Sequence, residues 1–480
     1  MTTHAPAAPG PASAAPARSR ALALAVLCAG MLMIILDGSI VTVALPAIQD
    51  DLHFSPADLT WTVNAYLIAF GGLLLLAGRL GDLIGRKRVF VAGLTLFTAA
   101  SLLCSVAAGQ EMLIAARFLQ GVGGAMASAV SLGMIVTLFP EPAERGRAIG
   151  AFGFVGAAGA SIGQVLGGVL TQALDWHWIF LINLPLGLAA VLLSLRLLES
   201  DRGPGLRAGA DALGAVLITA ALMLGIHTIV GTGEHGWASA RTLGLGALSL
   251  VLLAGFLLRQ ARAAQPLLPL RMFRSRNVSG ANAVQVLMVS ALFAFQILVA
   301  LYLQNVRGYG AAATGLAMLP AALAIGTVSL TLSARLNARF GERPVLLAGL
   351  LLLVAALALL TRLPADSHYA LDLLPTMLLA AGFGLAISAL TVLGMSGAGP
   401  ADAGTASGLF NTTQQVGGAL GVAVLTTLAN GRTGALAAAG QPAAEALTAG
   451  FRLAFAVGAG LLTVALLLAA TVLRPTGRQD

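Results

Sequence analysis

Long apolar stretches separated by short polar segments recur from residue 20 to residue 474 of this 480-residue chain. Each stretch is close to the roughly 20 residues that a helix needs to cross the hydrocarbon core of a bilayer. Charged residues, prolines and clusters of glycine or asparagine end the stretches. The pattern predicts an all-α integral membrane protein with fourteen transmembrane helices, near residues 21–45, 59–78, 89–108, 112–138, 148–171, 178–198, 212–232, 241–258, 277–303, 314–336, 344–361, 372–394, 404–428 and 450–473.

A weak internal repeat indicates how these helices are grouped. The segment 78–86, GRLGDLIGR, returns as 334–342, ARLNARFGE, and the segment 145–150, RGRAIG, returns at nearly the same offset as 403–408, AGTASG. Duplicated halves are common in secondary transporters, whose substrate sites lie near the membrane midplane between the halves. The repeat predicts a 6 + 2 + 6 arrangement: a disordered cytoplasmic tail at 1–20, a six-helix bundle at 21–200, two inserted helices and a cytoplasmic linker at 201–276, a second six-helix bundle at 277–474 and a cytoplasmic tail at 475–480.

Composition excludes an ordinary soluble protein, because 58% of the residues are apolar and only 10% are charged. The net charge is +8, and threading the chain from a cytoplasmic N-terminus puts most of the lysines and arginines on one side of the membrane. Such a bias marks the cytoplasmic side. Both termini are therefore predicted in the cytoplasm of a bacterial cell, with the protein in its plasma membrane, and the charge gives no support to nucleic-acid binding.

The sequence contains no motif for an ATP-driven pump. Its only lysine, Lys87, lies between two arginines and not in the glycine-rich loop that cradles nucleotide phosphates. Its two cysteines, Cys28 and Cys104, lie in apolar stretches, so neither a disulfide framework nor a metal cluster is expected. We therefore expect no cofactor and no metal, and an ion gradient, the membrane potential or a partner as the energy source. A proton gradient requires only an embedded carboxylate that exchanges its proton between the two sides.

Asp37 is the carboxylate placed most firmly within the hydrocarbon. It lies eight residues before Leu45, or about 12 Å from that end of the first span at 1.5 Å per residue. Arg117 lies five residues after Met112 at the same side of the membrane, or about 8 Å deep. Similar depths predict a pair, direct or through Gln120, in which a proton, Arg117 and substrate compete for Asp37. The alternative is a static ion pair that only holds spans 1 and 4 together.

A loop motif follows the second span, with the sequence GRLGDLIGRKR at 78–88. With this motif the chain resembles the fourteen-span drug:proton antiporters of the major facilitator superfamily, the QacA/EmrB-like group, over essentially its whole length. The resemblance implies that the loop controls gating between inward-open and outward-open states. Its physical composition agrees, since glycines permit close helix approach and an acid beside arginines forms a latch. The predicted gating residues are Gly78, Arg79, Asp82, Gly85 and Arg86.

Five further stretches are similar to motifs of that family. They lie at 36–46, with Thr42 where asparagine is usual, at 117–124, associated with proton transfer, at 176–187, and at 410–418, with Gln414 where arginine is common. The fifth is the antiporter motif of span 5, in which Gln164 replaces the family's proline, so the helix is expected to be straighter. Glycines at every fourth position give a flat face for close helix packing. The motif residues are Gly159, Gly163, Gln164, Gly167 and Gly168.

The resemblance implies a proton-coupled exporter whose partners are the lipid bilayer, protons and a small amphiphilic molecule such as a hydrophobic antibiotic. One alternative is a dedicated exporter of a single metabolite or of a self-made antibiotic on the same scaffold. A remote alternative is an integral-membrane enzyme or receptor, which the isolated acids of the spans disfavour. Candidate substrate-lining residues combine aromatic and amide side chains: Asn64, Tyr66, Phe70, Gln285, Phe293, Gln296, Phe383, Asn411 and Gln415.

Overall fold

The computed structural model describes residues 17–139, 141–199, 201, 205, 211–264, 266–268, 270–395 and 403–474, and these residues form helices and connecting loops without a strand. Most of the predicted tails at 1–20 and 475–480 and of the segment 202–210 lies outside this description. The helices are α1 Ala17–Leu52, α2 Trp61–Ile84, α3 Arg86–Ser105, α4 Gln110–Leu138, α5 Pro142–Ala173, α6 Trp178–Leu181, α7 Asn183–Leu197, α8 Ala212–His235, α9 Ala240–Arg262, α10 Arg276–Asn305, α11 Ala311–Thr327, α12 Ser333–Phe340, α13 Glu342–Leu360, α14 Leu374–Leu379, α15 Gly382–Met395, α16 Ala403–Ala438 and α17 Ala443–Val472.

Helical structure lies at each of the predicted spans, but several boundaries differ from the prediction. The first span was predicted to end at residue 45, whereas α1 continues through Pro46 to Leu52. A proline in a helix removes one donor and bends the helix without ending it when neighbouring helices hold both sides. Three predicted spans are interrupted: Ile182 separates α6 from α7, the π-helical segment Val328–Leu332 separates α11 from α12, and Ala380 and Ala381 separate α14 from α15. A second π-helical segment, Tyr369–Leu373, directly precedes α14.

The described helices are long and apolar enough for a multi-pass membrane protein. Among the described residues, ten helical stretches are able to cross a bilayer by length and composition, with α6–α7 and α14–α15 each counted as one stretch. The number is eleven when the bent α2 is taken as one span. Their buried apolar side chains form two extensive clusters. One is built mainly from α1–α7 and also takes in residues of α8 and α16, and the other lies within α10–α17. We call these two sets of helices the first half and the second half.

The two halves are oriented in the same direction. Near the C-terminal end of α10, Gln304 Nε2 donates a hydrogen bond of 3.1 Å to the backbone oxygen of Val43, in the C-terminal third of α1. At the other end of α10, Arg276 Nη2 donates to the backbone oxygen of Thr471, near the end of α17. Thus α1 and α10 begin, and α17 ends, at one face of the molecule. We call it the terminal face, and the opposite one the distal face.

Two helix pairs join the halves in a reciprocal way, α2 with α16 and α5 with α11. When α11 with α12 and α14 with α15 are each counted as one span, the second span of each half packs on the fifth span of the other. Such reciprocal packing is typical of duplicated halves related by a twofold axis. Helices α8 and α9 form a hairpin, and α8 packs beside α2 and α16. Near the distal face, Asn430 Nδ2 also donates to the backbone oxygen of Pro56, and the backbone nitrogen of Ala312 donates to Gln172 Oε1.

Candidate functional site

Asp37 lies in the middle of α1 and is completely buried. Its carboxylate accepts hydrogen bonds from Arg117 Nη1 at 2.5 Å, Gln120 Nε2 at 3.0 Å and Asn183 Nδ2 at 2.9 Å. These donors come from α4 and α7, so the carboxylate joins three helices of the first half. An ionised carboxylate inside a membrane protein requires such compensation, because an unpaired buried charge costs several kcal/mol.

Arg117 is held in place by groups other than the carboxylate. Its Nε donates to the backbone oxygen of Thr62 on α2 at 2.8 Å, and its Nη1 also donates to Gln120 Oε1 at 2.8 Å. The guanidinium carbon lies 4.5 Å from the ring centre of Tyr66 and 5.8 Å from that of Phe180, within the range of cation–π attraction. The structure therefore contains both the direct contact and the contact through Gln120, while their part in proton coupling stays a prediction.

Three further polar side chains complete this cluster. None was assigned to a site from the sequence, although Asn183 lies in the family-like stretch 176–187 and Cys104 was noted in an apolar stretch. Ser101 accepts a hydrogen bond from Gln120 Nε2 at 2.7 Å, Cys104 donates its thiol proton to Gln120 Oε1, and Asn183 donates to Asp37. One signal was available for Asn183, which lies five residues after Trp178, just as Arg117 lies five residues after Met112. At 1.5 Å per residue, both lie about 8 Å along their spans.

The glycine face of α5 packs directly on the segment of α1 that carries Asp37. A Cβ atom added at Gly163 would lie 2.8 Å from the backbone oxygen of Leu36, and one added at Gly167 would lie 2.7 Å from that of Ile40. One turn earlier, Gly159 faces Leu32. Side chains at these positions would separate α5 from α1, so the glycines bring the two backbones into direct contact.

Another face of α5 contacts the second half. A Cβ atom added at Gly168 would lie 2.7 Å from Ala312 Cα on α11, and one added at Gly315 would lie 3.0 Å from the carbonyl carbon of Gln164. Helix α5 continues without interruption through Gln164, which is buried with no hydrogen-bond partner for its Oε1. The glycines of α5 therefore allow close backbone packing against two neighbours, α1 within its own half and α11 in the other.

The predicted gating loop forms the turn between α2 and α3 at the terminal face. Arg86 Nη2 donates to Asp82 Oδ1 at 3.1 Å, and Arg86 Nη1 donates to the backbone oxygen of Gly133 on α4, also at 3.1 Å. Gly81 lies against Val130 of α4, whereas a Cβ atom at Gly78 would still be 3.9 Å from its nearest neighbour. The Asp82–Arg86 ion pair is solvent-accessible and lies within the first half.

Asp201, which sequence reasoning missed, caps the first turn of α3. Its Oδ2 accepts from the backbone nitrogen of Arg86 at 2.7 Å, and its Oδ1 accepts from that of Lys87 at 3.2 Å. Lys87 Nζ in turn donates to the backbone oxygens of Leu195 and Leu198, at the end of α7. A carboxylate at a helix N-terminus satisfies free N–H groups and interacts favourably with the helix dipole.

Gly85 gives this turn its shape. Its φ of 104° lies in the region that side chains disfavour, and a Cβ atom there would lie 2.5 Å from the backbone oxygen of Asp201. No local signal in the sequence predicts the contact with Asp201, since more than a hundred residues separate the two positions.

Comparison with known proteins identifies the family. Residues 27–422 match the Major Facilitator Superfamily. The chain belongs to this superfamily of transporters. It is 39% identical over 455 residues to the puromycin resistance protein of Streptomyces alboniger, covering 92% of this chain and 90% of that one. It is also 39% identical over 414 residues to the cephamycin export protein of Amycolatopsis lactamdurans, covering 86% of this chain and 85% of that one.

A solved structure of the same architecture agrees with the family assignment. The transporter superposes on an auto-inhibited peptide transporter of the POT family with a TM-score of 0.69 at 17% identity, covering 96% of this chain and 98% of that one. At this level of identity, the likeness bears on the fold alone. The fold and the family together make this chain a multi-pass membrane transporter of the Major Facilitator Superfamily.

Three of the candidate substrate-lining residues lie on α2 of the transporter. Asn64 is completely buried, and neither of its side-chain polar atoms has a hydrogen-bond partner. The ring centres of Tyr66 and Phe70 lie 5.8 Å apart, and the Phe70 ring and the Tyr66 hydroxyl both face Gly124 of α4. Gln285 on α10 resembles Asn64, since it is completely buried and neither of its polar atoms is paired.

Other candidates lie closer to the junction of the halves. Phe293 packs against the apolar clusters of both halves, and a Cβ atom added at Gly71 of α2 would lie 2.7 Å from Cβ of Gln415 on α16. Gln296, Phe383 and Asn411 are partly buried in the second half. Phe293 and Gln415 therefore lie where the halves meet, and the substrate-lining role of all nine residues stays a prediction.

Proposed function

We propose that this protein is a drug:proton antiporter that exports hydrophobic or amphiphilic antibiotics by alternating access, driven by the proton gradient and without a cofactor. The observation that carries the proposal is the completely buried Asp37, which three donors surround. A carboxylate of this kind is rare within a membrane protein and is a functional candidate by default. Antibiotic export is supported by the relatives named for puromycin resistance and cephamycin export.

Coupling follows from the arrangement around the carboxylate. While Asp37 is ionised, Arg117 neutralises it and keeps α1 attached to α4. Protonation removes the negative charge, weakens this attraction and leaves Arg117 with Gln120 and the backbone of Thr62. Substrate and proton then favour different arrangements of the same helices. Under this scheme, a proton enters from the outside as the antibiotic leaves the cell.

Alternating access is supported by the contacts between the halves. The hydrogen bonds Gln304–Val43, Asn430–Pro56 and Ala312–Gln172 lie near the distal face, an arrangement that favours closure on that side. We assign the terminal face to the cytoplasm of a bacterial cell, which places both termini there, and count fourteen spans as 6 + 2 + 6 in the plasma membrane. The α2–α3 turn with Arg79, Asp82 and Arg86 then lies on the cytoplasmic side as the proposed gate.

A second candidate is a dedicated exporter of one metabolite or one self-made antibiotic. It is favoured by the relatives, since two of them are named for a single antibiotic each. The two candidates share the fold and the proton-coupling site and differ only in the breadth of the substrate site. Competition between unrelated compounds for one export activity separates them, because a dedicated exporter ignores most of a chemically varied panel.

Everted membrane vesicles from a host without its own drug pumps test the proposal. The vesicle lumen is acidified by respiration, and luminal pH is followed with a fluorescent amine dye while puromycin or a cephamycin is added outside. We expect the antibiotic to accumulate in the lumen and the lumen to become more alkaline, both abolished by a protonophore. Accumulation that persists with the protonophore contradicts proton coupling, and the absence of accumulation for the whole panel contradicts antibiotic export.

A further inference from the structure

The side-chain oxygen of Asn183 is buried and has no hydrogen-bond partner. The same amide donates through Nδ2 to Asp37 Oδ1 at 2.9 Å and more weakly to Ser101 Oγ at 3.4 Å. Buried polar atoms are paired in most proteins, because leaving one unpaired lowers stability. An unpaired acceptor beside an ionisable carboxylate therefore requires a functional explanation.

The surroundings of Asp37 fit its ionised form alone. Arg117 faces Oδ2, and the amides of Gln120 and Asn183 face Oδ1, all three as donors. A protonated carboxyl gains an O–H group that needs an acceptor. Because each neighbour presents an N–H to the carboxyl, a proton on Oδ1 requires one of the two amides to turn.

The two amides differ in how firmly they are held. Gln120 Oε1 accepts from Arg117 Nη1 and from the Cys104 thiol, and Gln120 Nε2 also donates to Ser101. Turning Gln120 would break all of these hydrogen bonds. The side-chain oxygen of Asn183, by contrast, has no hydrogen-bond partner. The amide of Asn183 is consequently the one that is free to turn.

We propose that Asn183 is a positioning residue that reverses its amide when Asp37 takes up a proton. The proton bonds to Oδ1 of Asp37, the Asn183 amide turns by half a rotation about its Cβ–Cγ bond, and Asn183 Oδ1 accepts the new O–H. Release of the proton reverses both movements, and no covalent bond of Asn183 is made or broken. The inference rests on the proposed proton coupling and adds the acceptor that the protonated acid needs.

One consequence concerns the contact between α1 and α7. The amide oxygen and nitrogen occupy nearly the same volume, so the rotation needs no shift of the backbone. The hydrogen bond between Asp37 and Asn183 is then present in both protonation states, with its direction reversed. Protonation therefore loosens α1 from α4, through the weakened contact with Arg117, and leaves α1 attached to α7.

Infrared difference spectroscopy on the full chain in liposomes tests the proposal without any substrate. The pH is changed in small steps on protein whose asparagine side-chain carbonyls carry ¹³C. We expect a protonated-carboxyl band that is absent in Asp37→Asn and an asparagine amide band that is absent in Asn183→Leu, both changing over the same pH range. A carboxyl band that appears while no asparagine band moves overturns the proposal, as does the absence of a carboxyl band at every pH at which the protein stays folded.

Two further variants serve as controls. Asn183→Thr identifies the same amide band by its loss if Asn183→Leu does not fold. Asn282, on α10, is a buried asparagine whose Nδ2 donates to the backbone oxygen of Val278 and whose Oδ1 accepts from Thr413. Because the nitrogen and the oxygen of this amide are both hydrogen-bonded, the amide is not expected to rotate. We therefore expect Asn282→Leu to leave the pH-dependent bands unchanged. These spectra do not depend on transport. Coupled bands together with failed uptake of the whole antibiotic panel reject the proposed function alone, and uncoupled bands together with proton-driven uptake reject this inference alone.

Discussion

Asp37 is the side chain on which energy conversion is proposed to depend, and asparagine is its closest neutral replacement. Asp37→Asn keeps the size of the side chain and removes the titrating group. We expect the variant to be inserted, with a lower unfolding midpoint than the wild type because Arg117 loses its counter-ion. We also expect it to lose antibiotic-induced alkalinisation of everted vesicles, with antibiotic accumulation reduced by about tenfold. The measurement is the dye signal in the vesicle assay together with antibiotic uptake.

A matched control lies on the same helix. Asp50 is exposed near the distal end of α1, so Asp50→Asn removes one negative charge without changing the buried cluster. We expect transport by this variant to equal that of the wild type. Coupled transport at wild-type rates by Asp37→Asn would show that another group carries the proton.

Arg117 is predicted to stabilise the protein because it compensates the buried carboxylate. Arg117→Gln leaves the charge of Asp37 without its counter-ion, and removing one partner of a buried ion pair typically costs about 3–5 kcal/mol. We expect a clear fall in the thermal unfolding midpoint in detergent. The double variant Asp37→Asn/Arg117→Gln has no unpaired charge and should recover part of the loss. Equal destabilisation of the single and double variants would mean that Arg117 acts through packing alone.

Asp211, at the N-terminus of α8, gives a stability prediction that depends on pH. Burial raises the pKa of Asp211, but hydrogen bonds from the Gly214 backbone, Gln260 and Arg259 outweigh it and hold the pKa below its ordinary value. A lowered pKa in the folded state means that the ionised form stabilises the fold. This stabilisation is present above the ordinary carboxylate value of about 4 and is lost as the pH falls below it.

Hydrogen–deuterium exchange of the α8–α9 hairpin measures this effect. We expect exchange at the start of α8, corrected for the intrinsic pH dependence, to rise as the pH falls below about 4. Asp211→Asn should show faster exchange at neutral pH and little further change on acidification. An identical pH profile in both proteins would exclude Asp211 as the titrating group.

Among the helices, the pair α5–α11 holds the halves together near the distal face with almost no space between backbones. Gly168→Val places side-chain atoms where Ala311 and Ala312 lie. Overpacking of this kind costs about 1–3 kcal/mol, and 1.4 kcal/mol shifts an equilibrium about tenfold. We expect amide exchange in residues 305–316 to become about tenfold faster as the distal contact opens.

Gly244 on α9 is the control for this substitution, because no atom lies within 4 Å of a Cβ atom added there. Gly244→Val should leave exchange at 305–316 unchanged. Unchanged exchange in Gly168→Val as well would show that α5 and α11 have room to separate without opening the distal face.

The positions of the helices were largely predictable, while their interruptions were not. A run of apolar residues determines whether a segment is helical in a membrane, and the predicted positions all contain helix. The π-helical segment at Val328–Leu332, which contacts α15, leaves no such signal in the apolar pattern. Some boundaries moved outward, as at the end of α1, and others moved inward, as at the end of α3. The end of an apolar run therefore does not fix the end of a helix.

For the whole molecule, position along the chain gives the depth of a side chain but not its neighbours. Depth was enough to predict that Asp37 and Arg117 are close. It did not predict Asn183, Ser101 and Cys104, because their contacts depend on which faces of α3 and α7 turn towards α1. The weak repeat indicated duplicated halves, and the reciprocal pairs α2–α16 and α5–α11 are what such a duplication produces. The membrane topology and the proton-coupling role remain predictions.

The attachment of Asp201 to the start of α3 bears on how the first half would move. Through this carboxylate and Lys87, the turn between α2 and α3 is fastened to the exit of α7. Force applied to the proposed gate would therefore reach α7, and with it Asn183, without passing through the second half. We therefore expect α2, α3 and α7 to move as one rigid unit during alternating access, and Asn183 to move with them.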